Sequence, residues 1–384
     1  MFVLIVSNGY PTTESKRGIF AMDQAKALKT AGHKVAFIAM DLRSIRRRRP
    51  LGYQRLNVEG IDVFTVSLPL GRVSGRLPDA VAAAGIRFAY KKVVSELGRP
   101  DIIHAHFYDM GIVAGVISKE NNIPLVITEH FSGLNNDEIS EKLRNAAVKS
   151  YSNADELIAV SREFAGKLHN NTGFDFRIVS NIVDMDAFSD ICPAERDPGD
   201  RAFSFISVGN LRPIKGHRDL LEAFSTASRE SAVEMELTIV GQGPERESLE
   251  RQAGDLGISD KVFFKGQLDR REIAELYRSC DAFVLLSRAE TFGVAYIEAM
   301  AAGLPVIATA CGGPNEFVDD SNGIMVPVGD KEAYVKALLD MAENAGKYDS
   351  EKIRKDIINR FSPEIIAEEL NQIYEDAILR RRGS

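Results

Sequence analysis

The sequence has few cysteines, no long apolar run and no dinucleotide fingerprint. Cys192, Cys280 and Cys311 are widely separated, which fits neither a disulfide framework nor a metal-ligand spacing. Such sparse use suits a reducing, cytoplasmic setting. No stretch approaches the ~18 apolar residues that a spanning helix needs. The opening residues, MFVLIVSNGYP, show neither a basic leader nor a cleavage site and read as a first strand, not a signal peptide. No GxGxxG follows a strand with an acidic residue about 20 positions on, so a nicotinamide-dependent dehydrogenase lacks its signature. No repeat-length period is present.

The 384 residues are 45% hydrophobic and 27% charged, an ordinary composition for a soluble globular chain. That length is too great for one core and suits two domains of about 150–200 residues. The net charge of −7 is unevenly spread. Residues 41–100 hold twelve basic side chains, from Arg43 to Arg99, against five acidic ones, a local +7 in a chain that is otherwise −14. A local positive field on an acidic protein suggests an anionic partner on one face, such as a lipid surface reached by basic residues 43–99. No nucleic-acid partner is read from it, and Arg46–Arg49 alone reads as a solvated loop.

Short apolar runs alternate with helix-length amphipathic segments. Strands are expected at Phe2–Ser7, Val35–Met40, Asp62–Val66, Asp101–His104, Leu125–Thr128, Glu156–Val160 and Arg177–Val179. Helical patterns fall near Gly18–Ala31, Asp79–Leu97, Gly111–Glu120, Glu138–Tyr151 and Arg162–His169. This alternation predicts an α/β fold with a parallel, doubly wound sheet, and ligands in such sheets sit beyond the carboxyl ends of the strands. At those ends lie Ser7–Tyr10, the Arg17–Gly18 loop, His104, His106, His130 and Ser161. The stretch Asp190–Arg201, with two prolines and dense charge, is the linker candidate. The alternation then restarts at Phe203–Val208, Glu236–Val240, Lys261–Phe264, Asp281–Leu286, Pro305–Ala308 and Ile324–Val326, before helices at Glu351–Arg360 and Pro363–Leu379. Two Rossmann-like domains are therefore expected, 1–189 and 190–362.

The second of these is organised around Leu285–Glu316, LLSRAETFGVAYIEAMAAGLPVIATACGGPNE. Val294, Ile297 and Ala301 recur at helical spacing between two strand-like runs, with Gly303 at the helix end. Glu290 precedes this helix and Glu298 lies about one and a half turns inside it. The backbone N–H groups at Thr291, Phe292 and Gly293 suit a phosphate, because a helix start carries unpaired donors and partial positive charge. Glu298 can accept from vicinal ribose hydroxyls and Glu290 from a second sugar. Equally, a glutamate before a helix can be a dipole complement, and one inside it a solvated side chain. Other strand-to-helix loops carry Asn210, Arg212 and Lys215 (VGNLRPIKGH), Gly241 and Gly243 (VGQGPE), Gln267 (KGQ) and Gly312–Glu316 (GGPNE). Lysine and arginine beside exposed N–H groups suit a diphosphate, and Gln267 suits a base. Each loop taken singly also reads as an ordinary turn.

These motifs together resemble retaining glycosyltransferases of family 4. The pattern comprises Glu290 and Glu298 eight apart, GGPNE, Lys215–Gly216, the GxGPE turn at Gly241, AGH at Ala31–His33, HAHF at His104–Phe107, Ser161 and SNIVDMDAF at Ser180–Phe188. The resemblance implies a GT-B fold, in which two Rossmann-like domains face an interdomain cleft, with a final helix from about 363–384 returning to the first. It implies a UDP- or GDP-sugar donor, a sugar or lipid-linked acceptor, retention, no metal ion and no other cofactor. Family roles would give Glu298 the ribose, Glu290 the donor sugar, Lys215 the diphosphate with Phe292 and Gly293, Gly18 a contribution from the other domain, and His130 a place near the anomeric carbon. Where the family usually has arginine five residues before the lysine, this chain has Asn210, with Arg212 nearby as substitute. The implied setting is cytoplasmic, peripheral on a membrane's inner face, in envelope polysaccharide or glycolipid synthesis. A sugar-nucleotide epimerase of the same fold and a non-catalytic binding module are the competing readings. The presence of Glu290, Glu298 and Lys215 together argues against the module.

Overall fold

The computed structural model describes residues 1–12, 16–43, 50–71, 76–184, 188 and 201–383, with the side chains of 76–78 and 383 excepted. The chain divides into two compact units, Met1–Ile182 with Pro363–Ser384, and Val183–Ser362. The expected linker 190–201 lies outside the described residues save Arg201, as do Arg46–Arg49 and Cys192.

In the first unit, β1 (Phe2–Ser7), α1 (Ile19–Thr30), β2 (Lys34–Asp41), β3 (Gly52–Val58), β4 (Ile61–Ser67) and α2 (Arg76–Leu97) are followed by β5 (Ile102–His106) and α3 (Tyr108–Asn121). Then come β6 (Leu125–Glu129), α4 (Glu141–Tyr151), β7 (Glu156–Ala159), α5 (Arg162–Thr172) and β8 (Arg177–Ile178). The sheet order is β3-β4-β2-β1-β5-β6-β7-β8. All six residues of β1 are buried, as helices on both faces of a parallel sheet require. The helices end within three residues of the sequence expectation.

One strand was not legible. β3 runs antiparallel to β4 through a two-residue turn at Glu59 and Gly60, both with positive φ (49° and 80°), the geometry that matches strand twist in tight hairpins. It is an edge strand with mostly exposed residues, so no apolar run marks it. This hairpin also alters the reading of the basic segment. Arg43 pairs with Asp41, Arg55 with Asp62 and Glu96, and Arg87 with Glu120, so much of its described positive charge is matched locally.

The core of this unit joins Val3, Ile5, Phe37, Val63, Ile102, Val126 and Ile158 to Met22 and Leu28 of α1. Ile366, Leu370, Ile373, Tyr374 and Ala377 of the C-terminal helix, Pro363–Gly383, belong to the same core. Their spacing of three, four and seven puts them on one helix face. Burying each large one contributes roughly 1.5–3 kcal/mol. Among the described residues no helix is long and apolar enough to cross a membrane.

The second unit runs β9 (Phe203–Val208), α6 (His217–Glu230), β10 (Met235–Val240), α7 (Arg246–Asp255), β11 (Val262–Gly266) and α8 (Arg270–Ser279). It continues with β12 (Ala282–Leu285), α9 (Val294–Ala301), β13 (Val306–Thr309), β14 (Gly323–Val326), α10 (Lys331–Asn344) and α11 (Ser350–Phe361). Its sheet is parallel throughout, in the order β11-β10-β9-β12-β13-β14. The order reverses between β9 and β12, and in the first sheet between β1 and β5. Those are the points where loops diverge and leave room for a ligand.

Candidate active site

The reversal in the second sheet brings two distant loops together. Lys215, after β9, and Glu290, after β12, meet with Lys215 Nζ 2.6 Å from Glu290 Oε1. The hydroxyl of Ser287 donates to the same carboxylate oxygen at 2.7 Å, and Thr309 Oγ1 donates to the Ser287 carbonyl at 2.5 Å. Glu290 is buried, so its charge requires such partners. The lysine ammonium has three donors, and only one is needed for Glu290.

Glycines allow these loops to touch through their backbones. A Cβ on Gly216, where φ is 69°, would lie 1.9 Å from the Leu286 carbonyl oxygen. One on Gly243 would lie 2.1 Å from the Leu211 oxygen, and one on Gly313 2.2 Å from Phe292 backbone atoms. Gly243 thus seats the β10 turn against the β9 turn, a packing role that its sequence context does not reveal. Gly293 is the N-cap of α9 with φ 102°. At the other end Leu304 N–H donates to the Ala299 carbonyl and Gly303 N–H to that of Met300, a Schellman ending with Gly303 left-handed at φ 80°. Phe292 is buried against Phe317 and Phe361, so its ring is core and its ligand-facing capacity is confined to the main chain.

The remaining sequence candidates are placed differently. Glu298 lies on α9 with its carboxylate 3.6 Å from Arg270 Nε, and Arg270 also pairs with Asp184 at 3.0 Å. It therefore has a cation of its own. Asn210 and Arg212 are both exposed, and Gln267 is exposed just after β11. His217, to which the sequence assigns no role, is fully buried, and among the described residues neither ring nitrogen has a hydrogen-bond partner. Burial, with Lys215 adding to it, lowers its pKa to about 4, so it stays neutral.

In the first unit Gly18 is the left-handed N-cap of α1. Its missing Cβ makes room for the Gly9 carbonyl, which would stand 2.1 Å away. Arg17 donates to the Asn8 carbonyl through Nε and Nη2. Among the histidines, His104 is tied at both nitrogens, to Tyr374 Oη and Thr128 Oγ1, each at 2.7 Å. That makes it a strut between sheet and C-terminal helix. Ser161 caps α5, its hydroxyl accepting from Phe164 N–H. His130 sits beyond β6, 3.0 Å from the ring of His106. Glu129, unnoticed in sequence, accepts from the backbone N–H groups of Tyr108, His130 and Phe131 and from the Tyr151 hydroxyl. Burial nonetheless pushes it up to about 7.

Two family models match the chain, Glycosyltransferase Family 4 over residues 18–187 and glycosyl transferases group 1 over residues 193–360. The chain belongs to glycosyltransferase family 4. This glycosyltransferase is 25% identical over 382 residues to an N-acetyl-alpha-D-glucosaminyl L-malate synthase of Bacillus anthracis, with 96% of each chain covered. It is 29% identical over 325 residues to a D-inositol 3-phosphate glycosyltransferase of Salinispora tropica, covering 76% of this chain and 67% of that one. Among solved structures, Anabaena HepE in complex with UDP-glucose matches with a TM-score of 0.75 at 20% identity, over 98% of this chain and 99% of that one. The fold of the family 4 enzyme is thus GT-B, with two Rossmann-like parallel-sheet domains, and its activity is that of a hexosyltransferase.

Proposed function

We propose that this glycosyltransferase moves a sugar, with retention and without a metal ion, from a UDP- or GDP-linked donor to a sugar or lipid-linked acceptor in envelope polysaccharide or glycolipid synthesis. The Lys215–Glu290 pair at the strand reversal carries this reading. Breaking the bond between C1 and the diphosphate oxygen leaves the electron pair on the nucleoside diphosphate. A lysine and the main-chain donors at Phe292 and Gly293 meet that charge, with Arg212 as a second cation. Glu290 takes the donor sugar's hydroxyls and Glu298 the ribose. Gly243, Asn210 and Gln267 line the nucleotide's path, and Gly18 and His130 are the first unit's contributions. The acceptor hydroxyl attacks the same face of C1, and its proton passes to the departing phosphate oxygen. Support for retention comes from the family likeness.

The test is a thermal-shift panel of UDP- and GDP-sugars, read through stabilisation of the folded state, followed by product anomer analysis by NMR with the stabilising donor. Stabilisation by one nucleotide class, and an axial-to-axial or equatorial-to-equatorial product, supports the proposal. Donor consumption with nucleotide release only when an acceptor is present would exclude an epimerase, and no stabilisation by any member would remove the nucleotide-sugar reading. The peripheral membrane setting rests on exposed Phe88 and Lys91 of α2, with Lys92 Nζ 5.8 Å from the Phe88 ring. Flotation with anionic liposomes should retain the protein, and equal behaviour with neutral vesicles would refute it.

A further inference from the structure

Three histidines gather where β5 and β6 end, and they are not equivalent. The parallel register pairs His104 with Val126 and His106 with Thr128. His104 and His106 project to one face, as residues two apart on a strand do, with ring centroids 4.6 Å apart. His130 follows two residues beyond Thr128, and its Nε2 lies 3.0 Å from His106 Nδ1. The two rings are within 12° of coplanar, which suits an in-plane N–H···N bond.

His104 shows what a purely structural histidine looks like here, because both its nitrogens are bonded. His106 and His130 each keep one buried nitrogen, Nε2 and Nδ1 respectively, with no hydrogen-bond partner among the described residues. A packed phenylalanine at either site would avoid that desolvation. His106 is wholly buried, whereas the His130 ring reaches the surface with 7% exposure, none of it at the buried Nδ1. Its Nε2 is already engaged, which leaves the unpartnered Nδ1 as its remaining polar atom.

The surroundings select the ligand's chemistry. Phe20 stacks on the His130 ring at 5.5 Å and Phe107 packs at 5.2 Å. Phe107 adopts φ 74°, a conformation rarely taken by a phenylalanine, and its N–H donates to the Thr128 carbonyl. Glu129 Oε1 accepts from the His130 backbone N–H at 2.9 Å. Burial holds both rings in the neutral form, His130 at about 3 and His106 well below its ordinary value. A neutral nitrogen between aromatic faces suits a sugar hydroxyl over a sugar's C–H face better than it suits a phosphate.

We propose that His106 is a positioning residue: it holds His130 by Nε2, turns Nδ1 toward a hydroxyl of the sugar substrate, and fixes by its own tautomer whether that Nδ1 donates or accepts. This rests on the reading above in which His130 addresses the sugar. Two neutral imidazoles share one proton across their bond. If His106 Nδ1 donates, His130 carries its proton on Nδ1 and donates to the hydroxyl oxygen. If His130 Nε2 donates, Nδ1 is bare and accepts the hydroxyl proton as a hydrogen bond. The free His106 Nε2 is what permits the exchange, since a partner there would lock one state.

The experiment compares the intact enzyme with H106N, whose amide can still bond His130 Nε2, and H106F, which keeps the shape and removes the bond. In protein labelled with 15N-histidine, the His130 nitrogens report its tautomer without any substrate. H106F should change that pattern and H106N should largely preserve it. With the donor that stabilises the wild type, H106F should lower kcat about 10- to 100-fold with KM within about threefold, and H106N should recover most of it. Melting temperatures close to wild type for H106N guard against a folding artefact. An unchanged His130 pattern in H106F, or an H106N enzyme as slow as H106F with the His130 pattern intact, would overturn the proposal. If no nucleotide sugar stabilises the wild type, the functional reading fails separately, and the tautomer measurement still decides the role of His106.

Discussion

At the carboxyl edge of the second sheet a lysine and a glutamate meet at 2.6 Å among glycine-tight loops. At the matching edge of the first sheet Arg17 is turned onto the Asn8 carbonyl, and beyond β5 and β6 the polar groups are neutral imidazoles and a carboxyl that burial pushes up to about 7. The same doubly wound topology thus presents a close ion pair in one unit and, beyond β5 and β6, buried hydrogen-bonding groups in the other. Charge suits a diphosphate whose negative charge grows as it leaves, and neutral groups suit hydroxyls that need orientation without strong attraction. The difference follows from partners. Glu290 has Lys215 and Ser287 as donors, whereas the donors to Glu129 among the described residues are backbone N–H groups and a tyrosine hydroxyl.

The comparison breaks most readily at Lys215. K215A should lower kcat/KM by about 10²- to 10³-fold, the scale for removing one preorganised group that meets developing charge. It should also lower stability, because Glu290 loses its cation. Steady-state kinetics and denaturant unfolding check both. Adding E290Q to K215A should restore stability in part while leaving activity low. A double mutant no more stable than K215A would mean that the pair is not a charge pair in the folded state.

Next in size are the glycines that close each edge. G216A and G18A both force a Cβ into a carbonyl oxygen at positive φ, at 1.9 and 2.1 Å. Each should destabilise its unit by about 1–3 kcal/mol or more, measured by chemical denaturation. G32A is the control, since its φ is 87° but nothing lies within 4 Å of the added atom. It should cost less than either. Equal losses at all three would assign the effect to backbone conformation and not to loop contact.

These positions also show how far the sequence could be read. The strands of the second unit stood out because they are short apolar runs between glycines, and Lys215 and Glu290 stood out as charges beside such turns. The hairpin strand β3 did not, since an exposed edge strand within a charged segment has no apolar run to mark it. The His106–His130 bond was hidden because it depends on the β5–β6 register, which brings together residues 24 apart. Glu298 carried the right spacing, but its partner Arg270 comes from α8, a helix whose placement no local pattern encodes.

A pH series sharpens the contrast further. Glu129 is raised from its ordinary 4.5 to about 7, by burial first. A carboxyl raised on folding binds more protons folded than unfolded, so its stabilising contribution is complete below about pH 4.5 and is lost as pH rises toward 7. E129Q mimics the protonated form and should remove that contribution. Asp109, raised to about 6 by desolvation, acts in the same sense. The buried histidines, lowered by desolvation, act in the opposite one, so the difference between wild type and E129Q isolates Glu129. Unfolding free energies from pH 4.5 to 7.5 in wild type and E129Q test this. E129Q should gain on wild type as pH rises through that window, and parallel profiles would show that Glu129 is ionised in the folded chain.

The smallest effect is expected away from both edges. Arg87 and Glu120 form a bidentate pair at 2.6–3.0 Å, yet their side chains are 45% and 46% exposed. Water screens such a pair and holding two long side chains together opposes it, so the geometry overstates its worth. R87A should leave the melting temperature within about 1 °C of wild type and transfer kinetics unchanged. The short distances here and at Lys215–Glu290 are alike, so burial is what separates them. A loss at Arg87 comparable with that at Lys215 would mean that pair geometry alone sets the energetics, and the contrast between the two edges would lose its physical basis.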